Sequence, residues 1–376
     1  MIAFYISGHG FGHASRDIEV LNTLFRHQAN LRVVLRTGVP AWLFQNAARQ
    51  PLDVQPLETD SGLAQIDSLR IDERETVRRA IRFYDNFDER VAAEATWLRK
   101  NGVTLVVADV PPLACAAADR ADIPSVVLAN FTWDWVYQAI DHFDRDAPGV
   151  LPLIEQAYAT ATHTLRLPLH GGFAPMKTGV RDIPFVARRS TRSRGVTRTA
   201  LGLDDSRPIV LASFGGHGVR IPFAEVSREN RLLVLLTDFE AESNADAAHL
   251  PNVRCFSPRE LAEKQLRYED LVAASDVVVS KPGYGIVSEC IANGTALLYT
   301  SRGRMPEYDV FVEQMPRVLR CRYIAQETLL AGTWADEVEA LLAQPAPPST
   351  PMVNGADIAA RFILKTAGQL QAQSAP

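Results

Sequence analysis

Residues 7–16 read Ser-Gly-His-Gly-Phe-Gly-His-Ala-Ser-Arg, directly after the apolar run Ile2–Ile6 and directly before a helical pattern. Glycines and two imidazoles thus crowd the first turn out of a buried strand. Glycine lets a backbone come close to a ligand, and imidazole is the side chain that exchanges a proton near neutral pH. The turn reads as half of an active site. A second loop, Ser213-Phe-Gly-Gly-His-Gly218, follows another apolar run and carries Gly215, Gly216 and His217. Its amides could meet phosphate, though such glycines also serve tight turns. The third segment is the most specific: Ser280-Lys-Pro-Gly-Tyr-Gly-Ile-Val-Ser-Glu289. Here a strand runs into a glycine turn and a helix, which sets free amides at a helix start. Glu289 falls about two turns into that helix, where a carboxylate can accept hydrogen bonds from ribose hydroxyls. Farther on, Arg302-Gly-Arg-Met-Pro-Glu-Tyr-Asp309 brings Glu307 and Asp309, both able to hold sugar hydroxyls.

Several familiar chemistries are excluded. Gly8-x-Gly10 opens a dinucleotide fingerprint, but His13 stands at the third glycine and the second strand ends in Arg36-Thr37-Gly38 without an acid. A nicotinamide or flavin cofactor is therefore not expected, and no P-loop sequence occurs. His9 and His13 are spaced as HxxxH, but glycines interrupt the spacing and no glutamate follows, so no metal is expected. His9 stays unassigned. Asp144-Arg-Asp146 lies in a Pro/Gly loop and reads as a solvated turn, and Asp238-Phe-Glu240 as a loop or capping cluster. Arg16 and Arg220 follow their glycine loops and could meet phosphate or sit as surface helix charges. The arginines of residues 188–198 read as a solvated linker. Trp133, Trp135 and Tyr137 follow an apolar run and fit either an acceptor pocket or the core.

The elements that position these residues are short apolar runs alternating with helical segments. In the first half the strand candidates are Ile2–Ile6, Leu31–Leu35, Leu105–Ala108, Ser125–Leu128 and His163–Leu167. Helices are expected over Arg16–His27 and, as one long amphipathic run, Arg74–Lys100. The second half offers Ile209–Ser213, Leu232–Leu236, Val253–Phe256, Asp276–Val279 and Ala296–Thr300. Such runs imply parallel strands buried on both faces, so each half is an α/β, doubly wound domain. The rhythm lapses between residues 169 and 200, placing a linker near Pro184–Arg194. The expected domains are 1–183 and 184–354. A Pro-rich break, Gln344–Pro351, precedes the apolar helix Ile358–Leu370, and residues 355–376 either return to the first domain or stay on the second.

Composition agrees with this organisation. A chain of 376 residues is long for one core. Hydrophobic residues at 47% and charged residues at 22% describe a folded protein. The net charge of −5 gives no reason to expect nucleic acid. Cys115, Cys255, Cys290 and Cys321 are scattered without a CxxC pair, which suits free thiols in a reducing compartment. No signal peptide is visible, and no apolar stretch approaches the roughly 20 residues of a membrane span. A cytoplasmic location is expected, as a monomer or homodimer.

The segment Lys281–Glu289 resembles the nucleotide-sugar motif of GT-B glycosyltransferases, in the class of the lipid-II-forming N-acetylglucosaminyltransferase and monogalactosyldiacylglycerol synthase. Gly8–His13 resembles the glycine/histidine loop of that class and the N-terminal region of L-arabinokinases. The resemblance implies a GT-B architecture of two Rossmann-like domains facing a cleft. It implies diphosphate binding at Gly283, Tyr284 and Gly285, with Ser288 beside them, ribose binding at Glu289 and sugar contacts from Glu307 and Asp309. Phe256 would lie against the base. His13 would be the catalytic base, oriented by Asp109, and Gly10, Phe11, Gly12 and Trp133 would line the acceptor side. The activity implied is an inverting, metal-independent transfer from a nucleotide sugar, a UDP-sugar foremost, to an acceptor hydroxyl. Gly12-His13-x-x-Arg16 also resembles nucleotide-sugar hydrolases, in which the histidine would activate water. A non-catalytic nucleotide-sugar binder is the third reading. The acceptor is unreadable; a soluble one is slightly favoured because no basic amphipathic stretch marks lipid docking.

Overall fold

The computed structural model describes residues 1–368 apart from 178, 205, 216–218, 229, 238–246 and 248. Among them, the first half forms a seven-stranded parallel sheet. Its strands are β1 (Ile2–Ile6), β2 (Val33–Thr37), β3 (Asp53–Pro56), β4 (Leu105–Asp109), β5 (Ser125–Ala129), β6 (His163–Arg166) and β7 (Val180–Asp182). Their order is β3-β2-β1-β4-β5-β6-β7. The second half forms a six-stranded parallel sheet of β8 (Ile209–Ala212), β9 (Leu233–Thr237), β10 (Val253–Phe256), β11 (Val277–Ser280), β12 (Ala296–Tyr299) and β13 (Cys321–Tyr323), ordered β10-β9-β8-β11-β12-β13. In both sheets the chain winds one way from a central strand, then returns to that strand's other side. These reversals, at β1/β4 and β8/β11, open crevices at the carboxyl ends of the strands, where such sheets bind ligands.

Alternation sends successive side chains of a strand to opposite faces. Phe4, Ile6, Leu105 and Val107 join Leu211, Val278 and Tyr284 of the second half in one continuous apolar core. Ala3, Tyr5, Val106 and Ala108 face a separate core under the other helices of the first half. The shared core also takes in Ala359, Ala360 and Ile363 of the last helix, Gly355–Thr366. That helix packs on the helix Phe11–His27, and His27 Nε2 lies 2.8 Å from Asp357 Oδ1.

The buried strands agree with their apolar runs to within two residues. Strands β3, β7 and β13 carry no such run: β3 and β7 close the first sheet and β13 one edge of the second. Their residues are mostly half-buried or exposed, so no apolar run marks them. The expected helix Arg74–Lys100 is two helices, Glu73–Tyr84 and Phe87–Lys100, broken at Asp85-Asn86. The first helix begins at Phe11 rather than Arg16, which places His13 inside its first turn.

The chain passes between the halves twice, and the passes pair with each other. Phe185 N donates to Met352 O at 3.2 Å and Gly355 N to Phe185 O at 3.0 Å. A Cβ on Gly355 would stand 2.1 Å from the Pro184 carbonyl oxygen. Backbone on both sides leaves nothing flexible to give way. Gly355→Ala is therefore expected to destabilise the chain by at least about 2 kcal/mol in a urea melt, whereas a loss below about 0.5 kcal/mol would show that the crossing yields.

Candidate active site

Strand register brings the first two groups together. Ile6 of β1 pairs with Asp109 of β4, so the loops leaving these strands emerge side by side. Gly10 caps the helix Phe11–His27 at φ 78, a conformation that glycine adopts without a Cβ penalty. One turn later His13 Nδ1 lies 2.8 Å from Asp109 Oδ1. Arg16, on the same helix face, donates through Nε to Asp109 Oδ2 at 2.5 Å and through Nη2 to Oδ1. Its Nη1 donates to Asn130 Oδ1 at 2.6 Å, and Asn130 Nδ2 donates to Glu307 Oε1 at 2.8 Å. One hydrogen-bonded chain therefore runs from His13 across to the second half.

The charges in this chain are buried. Burial pulls the Asp109 carboxyl upward, but Arg16 and His13 beside it prevail and hold it well below the usual carboxylate range. Asp17 behaves oppositely: burial, and then the charge of Asp109, push it well above its ordinary value. Among the described residues no donor reaches either Asp17 oxygen, and the retained proton of its carboxyl is directed to Asp109. Asp60 is pushed up to about 6 by burial, against hydrogen bonds from Ser7 and Trp133; Trp133 Nε1 donates to its Oδ2 at 2.9 Å.

An unfolded aspartate titrates near pH 3.9, so between about pH 4 and about pH 6 the unfolded chain has lost a proton that folded Asp60 retains. Asp60 therefore lowers stability progressively across that window and fully above it. Asp60→Asn, which keeps an acceptor for Trp133, is expected to gain up to about 3 kcal/mol on wild type between about pH 4 and about pH 7. Urea melts at the two ends measure the difference, and parallel curves would contradict it.

The opposite wall is built by the second half. The helix Tyr284–Asn293 starts at Gly283, directly after β11. Gly12 and Gly285 meet across the gap, where a Cβ on Gly285 would lie 3.4 Å from Gly12 Cα. Lys281 lines the same wall, lowered to about 7 by burial and by Arg302, with Glu307 and Asp67 acting against them. Arg302 Nη1 stands 3.7 Å from where a Gly283 Cβ would be. Glu289, 3% exposed, accepts from Arg188 Nε at 2.7 Å. Burial raises its carboxyl, and Arg188 opposes the rise. The walls enclose a cleft of about 480 Å³.

Of the expected site residues, His13, Gly10, Phe11, Gly12, Gly215, Phe256, Gly283, Tyr284, Gly285, Glu289 and Glu307 line this cleft. Asp109 lies just behind His13. Gly216 and His217 lie outside the described residues. Three residues are placed elsewhere. Trp133 is wholly buried beside Tyr137 at 5.4 Å, and Asn130 and Phe131 take the wall position expected of it. Asp309 is exposed on the helix Pro306–Gln314, turned from the cleft that Glu307 faces. Ser288 is buried, its hydroxyl donating to Gly285 O at 2.9 Å. Tyr284 is as much structural as cleft-lining: its hydroxyl accepts from Val186 N at 3.1 Å, and the Arg16 guanidinium lies 5.1 Å from its ring centre.

Arginine is where the sequence reading goes most astray. Arg16 is not a surface charge: it is buried at the cleft wall, where Asp109 and Asn130 take up its guanidinium. Arg188 is 8% exposed and bound to Glu289, and Arg194 and Arg198 hold the Asp276 carboxylate at 3.2 and 2.8 Å. Arg188 and Arg198 are internal clamps, whereas Arg194 clamps from a partly exposed position and Arg189 remains exposed, so the stretch is solvated only in part. Arg220 is exposed. Asp144 and Asp146 lie on the short helix Phe143–Asp146, Asp146 beside Arg145 at 2.8 Å. His9 accepts from Leu63 N on Nδ1 at 3.3 Å and stands edge-on to Trp133 at 5.5 Å. No group of His, Cys, Asp and Glu arranged to hold a metal occurs among the described residues, and no described helix is long and apolar enough to cross a membrane.

Known structures settle the architecture. The glycotransferase of kitacinnamycin superposes with a TM-score of 0.58 over 98% of this chain and 99% of its own, at 16% identity. The calicheamicin glycosyltransferase CalG4 gives 0.57 over 97% and 93% at 14% identity, and MurG of Acinetobacter baumannii 0.53 over 97% and 99% at 13%. The chain has the GT-B fold. No sequence-family model matches it. Among curated proteins, L-arabinokinase of Arabidopsis thaliana is 30% identical over 377 residues, 98% of this chain and 34% of that protein. The UDP-N-acetylglucosamine--N-acetylmuramyl-(pentapeptide) pyrophosphoryl-undecaprenol N-acetylglucosamine transferase of Clavibacter sepedonicus is 26% identical over 238 residues, 58% and 57% of the two chains. The chain thus spans about a third and just over half of the lengths of these relatives. In GT-B terms, the cleft lies between the carboxyl ends of the two sheets.

Proposed function

We propose that this GT-B chain transfers a sugar from a nucleotide-sugar donor, a UDP-sugar, to an acceptor hydroxyl, by inversion and without a metal ion. The observation that carries the reading is one cleft holding His13 with Asp109 on one wall and, on the other, Gly283, Lys281 and Glu289 around a helix start. The curated transferase similar to this chain uses a UDP-sugar by its name, and the solved glycosyltransferase VinC, with the same fold, holds dTDP.

Asp109 is kept anionic by Arg16, so it favours the imidazole tautomer with its proton on Nδ1 and a bare Nε2. The acceptor hydroxyl gives its proton to Nε2 as its oxygen bonds to the anomeric carbon. The bond from that carbon to the diphosphate oxygen breaks on the opposite face, which inverts the centre. The charge departing with UDP meets the amides at Gly283–Gly285, the helix N-terminus, Lys281 and Arg302. Glu289 holds the ribose, Phe256 lies against the base and Glu307 meets the sugar.

A thermal-shift panel of UDP-, dTDP- and GDP-sugars tests the donor class. A ligand at about 100 times its Kd adds about 2.7 kcal/mol to folded-state stability. UDP-sugars are expected to raise Tm most, and a panel without any shift would refute the donor site.

A further inference from the structure

Arg188 is a buried cation of the cleft that the reaction above leaves without a task. It lies in the crossing between the sheets, six residues beyond β7, and is buried. Its Nε and Nη2 both reach Glu289 Oε1, at 2.7 and 2.6 Å. Its guanidinium carbon lies 5.2 Å from the centre of the Tyr268 ring, and Nη1 is 4.0 Å from Glu269 Oε2. The backbone around it is tied down as well, since Asn293 Nδ2 donates to both Arg188 O, at 3.1 Å, and Glu289 O, at 2.9 Å.

This arrangement divides the two oxygens of one carboxylate. Oε1 is saturated by the guanidinium fork, a geometry that arginine's fixed plane supports and that fixes the carboxylate's rotation. Among the described residues none donates a hydrogen bond to Oε2, although Glu289 lines the cleft. A buried carboxyl without a counter-charge would take up a proton, and a neutral acid presents one acceptor oxygen fewer to a sugar hydroxyl. The facing groups, Glu269 on the helix Tyr268–Ala274 and Glu19 on the helix Phe11–His27, are both acidic and work toward that protonation.

We propose that Arg188 is a positioning residue that fixes the chain's preference for ribonucleotides: it holds Glu289 turned and ionised so that Oε2 accepts from a ribose hydroxyl. The inference rests on the reading of Glu289 as the ribose-holding carboxylate. The ligand class is a ribonucleoside diphosphate, and the discriminating atom is the 2′-hydroxyl oxygen.

The test is calorimetric titration of UDP and of its 2′-deoxy analogue into wild type, Glu289→Gln, Arg188→Met and the double variant Arg188→Met/Glu289→Gln. Wild type is expected to prefer UDP by about 10-fold, the worth of one hydrogen bond to a charged group. Arg188→Met and Glu289→Gln should each reduce that ratio to about 2-fold or less. The double variant has no unpaired buried charge at this pair and should match Glu289→Gln; a ratio below that of Glu289→Gln would show Arg188 acting on the ribose other than through Glu289 and would overturn its positioning role. A purely structural arginine would weaken both nucleotides alike and leave the ratio intact. A ratio that collapses in Glu289→Gln but survives in Arg188→Met overturns the role of Arg188 alone. A ratio unchanged in Glu289→Gln, or absent from wild type, overturns the ribose reading beneath it.

Discussion

His13→Ala is expected to lower turnover on a UDP-sugar and acceptor by about 10²–10⁴-fold, the usual contribution of a positioned general base. UDP affinity should stay within about 3-fold of wild type. The hydrogen-bond and ring partners of the His13 imidazole are Asp109, Arg16 and Phe131, none of them a group proposed to bind the base, the ribose or the diphosphate. The fold should survive too, because Arg16 keeps its bonds to Asp109 and Asn130 without the imidazole. Steady-state rates with calorimetric binding of UDP separate the two effects. Turnover within about 10-fold of wild type would remove His13 from the chemistry.

Asp109→Asn is expected to cost about 3–5 kcal/mol of stability, because it leaves the Arg16 guanidinium buried without its carboxylate. Turnover should fall as well, since a neutral amide no longer stabilises an imidazolium. Asp17→Asn makes a sharp contrast. Asp17 is buried, without a donor to its oxygens, and held neutral by burial and by Asp109, so an amide changes its charge little. Its raised carboxyl also sets the sign of the pH effect. Above about pH 4 the unfolded aspartate is ionised and the folded one is not, which costs stability as pH rises. Asp17→Asn is therefore neutral or stabilising at neutral pH. In Asp109→Asn, Asp17 loses the charge that suppresses its ionisation and offsets part of the charge left on Arg16, which holds the single loss near the lower end of that range. The double variant should accordingly lose more than the two single losses combined. Urea melts of the three variants measure the cycle, and simple additivity would contradict the charge assignment.

Much of this site is legible in the chain because its parts follow buried strands. Val277–Ser280 and Ile2–Ile6 are buried runs that announce themselves, and the turns after them fall at the sheets' points of reversal. His13 and Asp109 stand 96 residues apart, and only the β1/β4 register makes them neighbours. Residue type was misleading where a charge is internal. Arg16, Arg188 and Arg198 look like solvent residues, and nothing local reveals a partner carboxylate up to 101 positions away. Asp309 and Glu307 sit two residues apart on one helix, a spacing that turns them to different faces, so the cleft receives Glu307 only. The aromatic cluster at Trp133 fits core and pocket equally as sequence, and the Asp60 carboxylate that holds its indole lies 73 residues away.

The central claim is that the cleft moves a sugar from a nucleotide to a hydroxyl. Its most direct measurement is the rate of UDP release from UDP-sugars, with and without a panel of sugar and phenol acceptors, for wild type and His13→Ala. Expected is release that at least one acceptor accelerates and that His13→Ala lowers by about 10²–10⁴-fold, with glycosylated acceptor formed in step with UDP. Release at one rate regardless of acceptor would indicate hydrolysis. Tight donor binding without any release would indicate a binding protein, and either result would contradict the account.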